Sequence, residues 1–235
     1  MVTRLNLGGV AIDVTFKDIK NVHLSVYPPR GRVRIAAPRR MRLDTVRVFA
    51  ISKLGWIKQQ QRKLQEQDRE PQREYLDRES HYVWGKRYLL KVSESDASPT
   101  IELKGNRLML QVRPGADKQN RHRLLEEWYR KQLRELVPGL IATWERRMGV
   151  KVARFFVQRM KTKWGSCNPE GRSIRLNTDL AKKPRECLEY IIVHEMAHLL
   201  VRRHDDRFRR LMDRHLLNWE HLRETLNNSP LTHSE

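Results

Sequence analysis

The stretch YIIVHEMAH, residues 190–198, decides how the rest of this chain is interpreted. It places His194 and His198 four residues apart, with Glu195 directly after the first histidine. On an α-helix, residues i and i+4 lie on one face, so both imidazoles can reach a single ion. Glu195 projects about a quarter turn away, beside the ion, where a general base must be to accept a proton. The stretch therefore predicts a catalytic metal centre on a helix, with zinc favoured among the metals that bind imidazole.

A third ligand is expected further along the chain, because catalytic zinc usually takes three protein ligands and keeps one position for water. His204 follows His198 by six residues, a spacing that suits a helix which ends, turns and returns an imidazole to the ion. Asp205 and Asp206 have two interpretations. They accept a hydrogen bond from the second ring nitrogen of a ligand, or they cap a helix over about residues 206–215.

The residues around the motif predict the helix that carries it. Pro184 and Glu186 suit a first helical turn. An apolar stripe at helical spacing then predicts a partly buried helix over about residues 187–200. The members of this stripe are Leu188, Ile191, Ile192, Met196 and Leu199. Polar side chains pointing inward from such a helix are costly without a metal.

Composition limits the classes of partner. The 235 residues include 48 Lys and Arg against 28 Asp and Glu, and the formal net charge is +20. A surplus of this size attracts polyanions such as nucleic acid. The spread of the cations along the chain favours a solvated basic surface instead, so both interpretations stay open. The densest cluster, whose alternation indicates an exposed strand face, is Arg30, Arg32, Arg34, Arg39, Arg40 and Arg42.

Cysteine content and hydropathy indicate the compartment. Cys167 and Cys187 are too few for a disulfide framework and are compatible with a reducing cytosol. No segment contains anything near the roughly 18 apolar residues of a membrane-spanning helix. Residues 1–14 lack the basic region and long apolar run of a secretion signal. The sequence therefore predicts a cytoplasmic protein that makes no membrane contact.

The pattern of apolar residues predicts an α+β chain in two parts. Residues 1–115 form a β-rich N-terminal region with one long helix over about residues 45–67, capped by Asp44. Residues 116–235 form the domain that contains the metal helix. We detect no internal repeat in the sequence.

Strands and turns follow from the same pattern. Alternation predicts strands over residues 9–37, and two hairpins around Gly85-Lys86-Arg87 and Gly105-Asn106. A helix that starts near Arg121 should be kinked or divided at Pro138-Gly139 and should resume to about Met148. Two more strands follow, around residues 155–160 and 174–178, joined by a loop over residues 162–172.

A larger set of motifs resembles a known family. RMKTKWGSC at residues 159–167 precedes IRLN at residues 174–177, the histidine motif, and His204 with Phe208. This order resembles the YgjP-like metallopeptidase family, relatives of the SprT and WLM zinc proteases. The resemblance is specific over residues 150–220. It is looser over the front half, in Gly85-Lys86-x-Tyr88-x-Leu90 and Trp128-Tyr129.

The resemblance implies a zinc-dependent peptidase that acts on a peptide or protein. It implies that residues 116–235 are a zincin-like domain, gluzincin-like or metzincin-like. Glu195 would be the general base, and the zinc ligands would be His194, His198 and His204. Val201 stands where metzincins keep a glycine, so we do not assign a metzincin.

Residues near the motif have a functional and a structural interpretation each. Cys167 is a fourth ligand or a redox switch, or it packs with Trp164 between the strands and the helix. Trp164 itself contacts substrate or is structural. Asn177 contacts a peptide paired with a free strand edge over residues 173–178, or it fixes the strand. Tyr190 stabilises an oxyanion or is a packed aromatic.

The sequence thus predicts metal-assisted peptide hydrolysis, and two alternatives remain. In one, the basic surface recruits DNA or RNA, and the protease domain acts on proteins bound there. In the other, the protein is a non-catalytic zinc-binding scaffold. Glu195 argues against a scaffold, because a scaffold needs no base.

Overall fold

The computed structural model describes residues 2–27, 31–66, 73–160 and 163–227. The chain divides between residues 71 and 72 into two compact units. Both units contain helices and strands, so the chain is α+β. Most of the strands lie in the N-terminal half of the chain, and most of the helices lie in its C-terminal half.

The first unit contains a four-stranded sheet and two helices. The strands are β1 (Val2–Leu7), β2 (Val10–Lys17), β3 (His23–Tyr27) and β4 (Arg32–Pro38), in the order β1-β2-β4-β3. β2 and β4 are parallel, and the outer pairs are antiparallel. Alternate residues of β2 and β4 are buried in one apolar cluster, which confirms the strands predicted over residues 9–37. Arg30 of the basic cluster lies outside the described residues.

Two helices stand where the sequence predicts one long helix over residues 45–67. They are α1 (Leu43–Ser52), with Arg42 rather than Asp44 at its N-cap, and α2 (Leu54–Glu66). The Ser52 hydroxyl donates to the Phe49 carbonyl at 2.8 Å, and the Lys53 N–H donates to Ala50, three residues back. These bonds end α1, since they tighten its last turn. The apolar residues keep helical spacing across the break, so their periodicity does not reveal it.

The second unit begins with a sheet of the same topology. Its strands are β5 (Ser80–Val83), β6 (Lys86–Glu94), β7 (Thr100–Lys104) and β8 (Arg107–Val112), in the order β5-β6-β8-β7. The central pair is again parallel and the outer pairs antiparallel. Both predicted hairpins are therefore confirmed. The two four-stranded sheets repeat the same strand connectivity without repeating the residues, so the sequence shows no internal repeat.

Helix α3 (Lys118–Met148) follows and is continuous over 31 residues. Asp117 caps it by accepting from the Asn120 N–H at 2.7 Å, and Gly149 ends it in the left-handed region. The predicted division at Pro138 does not occur. Packing on both sides of the proline keeps the helix intact, through the buried residues Leu133, Val137, Ile141 and Trp144.

The two units divide earlier than the predicted boundary at 115/116. Leu90 and Leu108 of the second sheet belong to the same buried cluster as Leu133 of α3 and Ile192 of the histidine-motif helix. The sheet therefore shares one hydrophobic core with the metal-site elements. The composition change near residue 115 marks the start of α3 and not the edge of this core.

A three-stranded sheet and three helices complete the second unit. The strands are β9 (Arg154–Gln158), β10 (Gly165–Asn168) and β11 (Ser173–Asn177), in the order β10-β11-β9. A 3₁₀ turn over Thr178–Lys182 leads to α4 (Arg185–Ala197), α5 (Asp206–His215) and α6 (Trp219–Asn227).

The order of this sheet corrects two predictions. β10 lies within the predicted loop over residues 162–172 and has no apolar alternation to reveal it. β11 is the central strand, parallel to β9 and antiparallel to β10, so the free strand edge predicted over residues 173–178 is wrong. In the described parts of the chain, β10 pairs with β11 alone, and it contacts α4.

Among the helices that the structure describes, none has the length and apolar character needed to cross a membrane.

Replacement of Pro138 by alanine tests the continuity of α3. A proline inside a helix removes one backbone hydrogen bond and crowds the preceding turn, at a cost of about 3 kcal/mol. We expect Pro138→Ala to raise the free energy of unfolding by up to that amount, measured by urea denaturation. A less stable variant would show instead that the helix geometry with proline at this position is required for packing of the core.

Candidate metal centre

Helix α4 places the first two histidines at the boundary of the core. Its buried residues include most of the predicted apolar stripe, namely Leu188, Ile191, Ile192 and Met196. His194 and His198 are half-buried, one turn apart. The helix ends at Ala197, earlier than predicted, and the N–H groups of Leu199 and Leu200 donate to carbonyls three residues back. This tight turn directs the following residues back toward the helix.

The three imidazoles meet at one point. Each offers one ring nitrogen, and these nitrogens lie within 4.8 Å of one another. Nε2 of His204 lies 3.0 Å from Nε2 of His194. Two nitrogens that bind one tetrahedral zinc at about 2.0–2.1 Å are about 3.3–3.4 Å apart. The His194–His204 pair therefore lies near the spacing that a shared zinc ion requires, and the converging nitrogens of all three histidines lie within 4.8 Å of one another.

The surroundings of Nδ1 indicate that Nε2 is the nitrogen available to bind an ion in His198 and in His194. Nδ1 of His198 lies 3.1 Å from the carbonyl oxygen of Val201, which can only accept, so Nδ1 carries the proton and Nε2 is free to bind an ion. Among the residues that the structure describes, none forms a hydrogen bond with the buried Nδ1 of His194, which leaves Nε2 as its usable nitrogen.

Phe208 and its helix support the third histidine. The ring of Phe208 is buried, and its centroid lies 5.0, 4.8 and 4.7 Å from those of His194, His198 and His204. Asp205 accepts from the N–H groups of Arg207 and Phe208 at 3.1 Å each. The capping interpretation is therefore confirmed for Asp205, and α5 spans the predicted residues 206–215. The cap holds the chain next to His204.

The surroundings of His194 and His204 favour the neutral imidazole, which is the form that binds a metal. Burial, followed by the charges of His198 and His204, lowers the pKa of His194 to about 3. Burial is also the main cause that lowers the pKa of His204. Because a metal binds neutral imidazole, these shifts keep the two ligands ready at neutral pH.

Glu195 lies beneath the histidines and against β10. Only 5% of its surface is exposed. A Cβ placed on Gly165 would lie 2.7 Å from Oε1 and 2.9 Å from Cγ of Glu195, so the strand backbone packs directly on this side chain. Burial raises the pKa of Glu195 to about 7, and the positive charge of Lys163 opposes the rise. A carboxyl with this pKa can exchange a proton near neutral pH.

Asn177 anchors the loop that precedes β10. It is buried, and its Nδ2 donates to the carbonyl oxygens of Met160 and Lys163, both at 2.8 Å. Its Oδ1 accepts from the Asp179 N–H at 3.2 Å. The amide therefore holds loop backbone, as the strand-fixing interpretation requires.

Trp164 and Cys167 flank Glu195 on the β10 side. Trp164 is half-buried against the core, and Nζ of Lys183 lies 5.8 Å from its ring centroid. Burial, followed by the charge of Glu195, raises the pKa of the Cys167 thiol to about 11. The described ligand atoms that converge do not include this sulfur. A protonated thiol packed against the core matches the structural interpretation.

Tyr190 packs behind the first histidine. It is buried, with its ring edge-on to His194 at 5.8 Å between centroids. Burial raises its pKa to about 12. The geometry matches the packed aromatic, which supports the His194 ring from one side.

Sequence reasoning missed Gly165 as a residue of the site. An isolated glycine in a strand often marks the close approach of another group. Gly165, between Trp164 and Ser166, is such an isolated glycine. That signal was present, but it depends on β10 being recognised as a strand.

The convergence of His194, His198 and His204 next to the buried Glu195 is an arrangement that a metallopeptidase would require. The chain belongs to the YgjP-like metallopeptidase domain family, whose sequence profile matches residues 20–229. The resemblance inferred from the sequence is thus confirmed. No functionally curated protein matches the chain.

Two crystal structures of metallopeptidase zymogens are similar to part of the chain. Abylysin of Pyrococcus abyssi is 18% identical with a TM-score of 0.37, over 39% of this chain and 91% of its own. Jannalysin of Methanocaldococcus jannaschii is 18% identical with a TM-score of 0.35, over 38% of this chain and 92% of its own.

Replacement of Gly165 by alanine tests the contact between β10 and Glu195. The added methyl overlaps Glu195 and also meets Cγ2 of Ile191 at 2.9 Å. We expect a loss of about 1–3 kcal/mol in stability from overpacking. Peptidase activity should fall about 100-fold, because a displacement near 1 Å within a site can cost that much.

Gly139→Ala is the matched control, because, beyond the backbone of its own helix, no atom of the described residues lies within 4 Å of a Cβ at that position. It should be as stable as the parent or more stable by about 0.5–1 kcal/mol. Thermal unfolding and peptide hydrolysis measure both variants. Wild-type activity in Gly165→Ala would show that Glu195 does not depend on this contact.

Proposed function

We propose that the protein is a zinc-dependent peptidase with a zincin-like second unit. His194, His198 and His204 would hold the ion, and Glu195 would be the general base. The observation that carries the proposal is the convergence of three imidazoles beside a buried carboxyl whose pKa is about 7.

Each residue has a defined part in hydrolysis. Zinc bound at the three imidazoles supplies a Lewis acid, which polarises a scissile carbonyl and makes water more acidic. Glu195 accepts a proton from the attacking water at its carboxylate and returns it to the leaving amine. Burial of Glu195 suits both steps, because it brings the two protonation states close in free energy at neutral pH.

The free edge of β10 supports an extended peptide as the substrate. Within the described ranges, β10 pairs with β11 and with no other strand. Its first residue, Gly165, packs on Glu195. A peptide that adds to this edge as a further strand would place its backbone carbonyls next to the base. This supports a peptide or protein substrate.

A non-catalytic scaffold fits the site less well. The three imidazoles alone would hold a structural ion. A buried carboxyl against Gly165 adds a desolvation cost and no ligand to such a scaffold, since Glu195 is not among the converging ligand atoms. The cost is explained if the carboxyl transfers protons.

We also propose a cytoplasmic location. Cys167 and Cys187 are both free thiols. Free cysteines, here one half-buried and one buried, suit a reducing compartment.

Replacement of Glu195 by glutamine separates metal binding from turnover. The amide keeps the shape of the side chain but cannot accept the proton, so we expect kcat to fall by about 10²–10⁴-fold with zinc retained. Hydrolysis of a peptide library and metal content per chain are the two measurements. Glu186→Gln is the matched control, because Glu186 is exposed on the first turn of the same helix. A Glu195→Gln variant with the parental kcat would refute the proposal that Glu195 is the general base.

Removal of the third imidazole tests the ligand set. We expect His204→Ala to lower zinc affinity by more than about 100-fold, because even the partners behind a ligand change affinity by 10–100-fold. Competition with a chromophoric chelator measures the affinity. His221→Ala, at an exposed histidine of α6, should leave it unchanged. Equal affinity in the two variants would place the third ligand elsewhere.

A further inference from the structure

The sheet of the first unit has one face on its apolar cluster and one face open to solvent. We define the outer face by the side chains that alternate with those of the apolar cluster, namely Arg4, Asp13, Ser25, Tyr27, Arg32 and Arg34. Asp13 is itself buried, at 6% exposure. Strand register places these side chains in two neighbouring rows. Asp13 is flanked by Arg4 on β1 and Arg34 on β4, and Arg34 is followed by Ser25 on β3. Arg32 and Tyr27 pair in the next row.

The outer face has a surplus of ordered positive charge. Nη2 and Nε of Arg32 lie 2.6 and 2.8 Å from Oδ2 of Asp13, and Nε of Arg4 lies 3.6 Å from Oδ1. The side chains of Arg4 and Arg32 remain 71% and 65% exposed despite these contacts. One carboxylate therefore orients guanidinium groups that still present donors to solvent. With Arg34 included, the defined outer face has three positive side chains and one negative side chain, Asp13.

The outer face also carries an aromatic ring. Tyr27 is half-buried on β3, and Cζ of Arg34 lies 6.0 Å from its ring centroid. Ala11 on β2 and Ala36 on β4 occupy outward positions and leave the ring and the arginines accessible on this face. An aromatic ring with guanidinium planes beside it can stack bases.

Positive charge continues past one end of the outer face. The Arg39 N–H donates to the Lys17 carbonyl at 3.0 Å where β2 and β4 end, and both side chains are exposed. A polyanion that crosses the sheet would meet these cations next. Val2 is the one large aliphatic side chain that the described part of the outer face exposes, at 58%. The face thus has little apolar area for a folded protein or a lipid surface.

We propose that the outer face binds single-stranded nucleic acid, with Arg4, Arg32 and Arg34 at the phosphates and Tyr27 stacked on a base. The Tyr27 ring favours a single strand, because bases must be unpaired to stack on a side chain. The proposal is independent of the peptidase, since it uses no residue of the metal centre.

The test measures binding of the full-length chain to fluorescent oligo-dT and oligo-U of about 20 nucleotides, which exceed a typical single-strand site. Anisotropy is recorded between about 50 and 200 mM salt. We expect the double variant Arg4→Gln/Arg34→Gln to weaken binding at least tenfold, on the order of two lost phosphate contacts. The slope of log K against log salt should become shallower by about 1.4, at about 0.7 per contact on a single strand.

The matched control removes two cations from the helices of the same unit. Arg47 on α1 and Lys58 on α2 are both exposed, so Arg47→Gln/Lys58→Gln has the same net charge as the test variant. It should bind within about twofold of the parent, because long-range attraction is screened at these salt concentrations. Tyr27→Ala should weaken binding at least about fivefold, and Tyr27→Phe should restore it, because stacking needs the ring and not the hydroxyl.

Circular dichroism and zinc content verify that each variant is folded. If the double arginine variant does not fold, the comparison of Tyr27→Ala with Tyr27→Phe decides the proposal. Equal losses in the two double variants would overturn it in favour of diffuse attraction. So would tighter binding to duplex DNA, displacement of the oligonucleotide by vesicles containing phosphatidylserine, or no binding by the parent chain.

Discussion

The return of the chain after α4 is the constraint on which the metal centre depends. Two imidazoles on one helix need a third from another segment, and the 3.0 Å approach of His204 to His194 supplies it. The tight turn after Ala197, the Asp205 cap and the buried Phe208 ring all fix this approach. The hydrogen bonds of the turn and of the cap do not involve the three histidines, and Phe208 contacts them through its ring alone. Backbone capping and apolar packing therefore shape the site.

The rest of the second unit holds α4 in place from several directions. Nε1 of Trp144 on α3 donates to Glu189 of α4 at 2.9 Å, which fixes one side. The turn between β5 and β6 packs at the start of α4, where a Cβ on Gly85 would lie 2.9 Å from Cγ of Pro184. Gly85 also has a φ of +77°, so both its conformation and its contact require glycine there. The second sheet is thus a support of the metal helix, which explains why the two belong to one compact unit.

Local pattern predicted much of this architecture, and contact between distant residues accounts for the remainder. The histidine spacing, the apolar stripe and the hairpin glycines led to α4 and to both predicted hairpins, because each signal lies within a few residues. The break after Ser52, the unbroken path of α3 through Pro138 and the strand β10 were not predictable in this way. They depend on a side-chain hydrogen bond, on core packing around a proline and on the pairing of four residues with β11. The site shows the same contrast, since the identity of its four polar residues follows from the motif, whereas the role of Gly165 follows from tertiary contact.

The shared topology of the two four-stranded sheets has a consequence for how the chain assembles. Each sheet consists of two hairpins whose inner strands meet in a parallel pair. A hairpin closes a short loop, whereas the parallel pair joins residues farther apart and loses more chain entropy before it gains contacts. The hairpins β5–β6 and β7–β8 therefore have the faster route to form, and their side-by-side joining is the slower event. The same order of events is expected for the hairpins β1–β2 and β3–β4. In each unit, pairing of the two parallel central strands is therefore the slow step in forming the sheet.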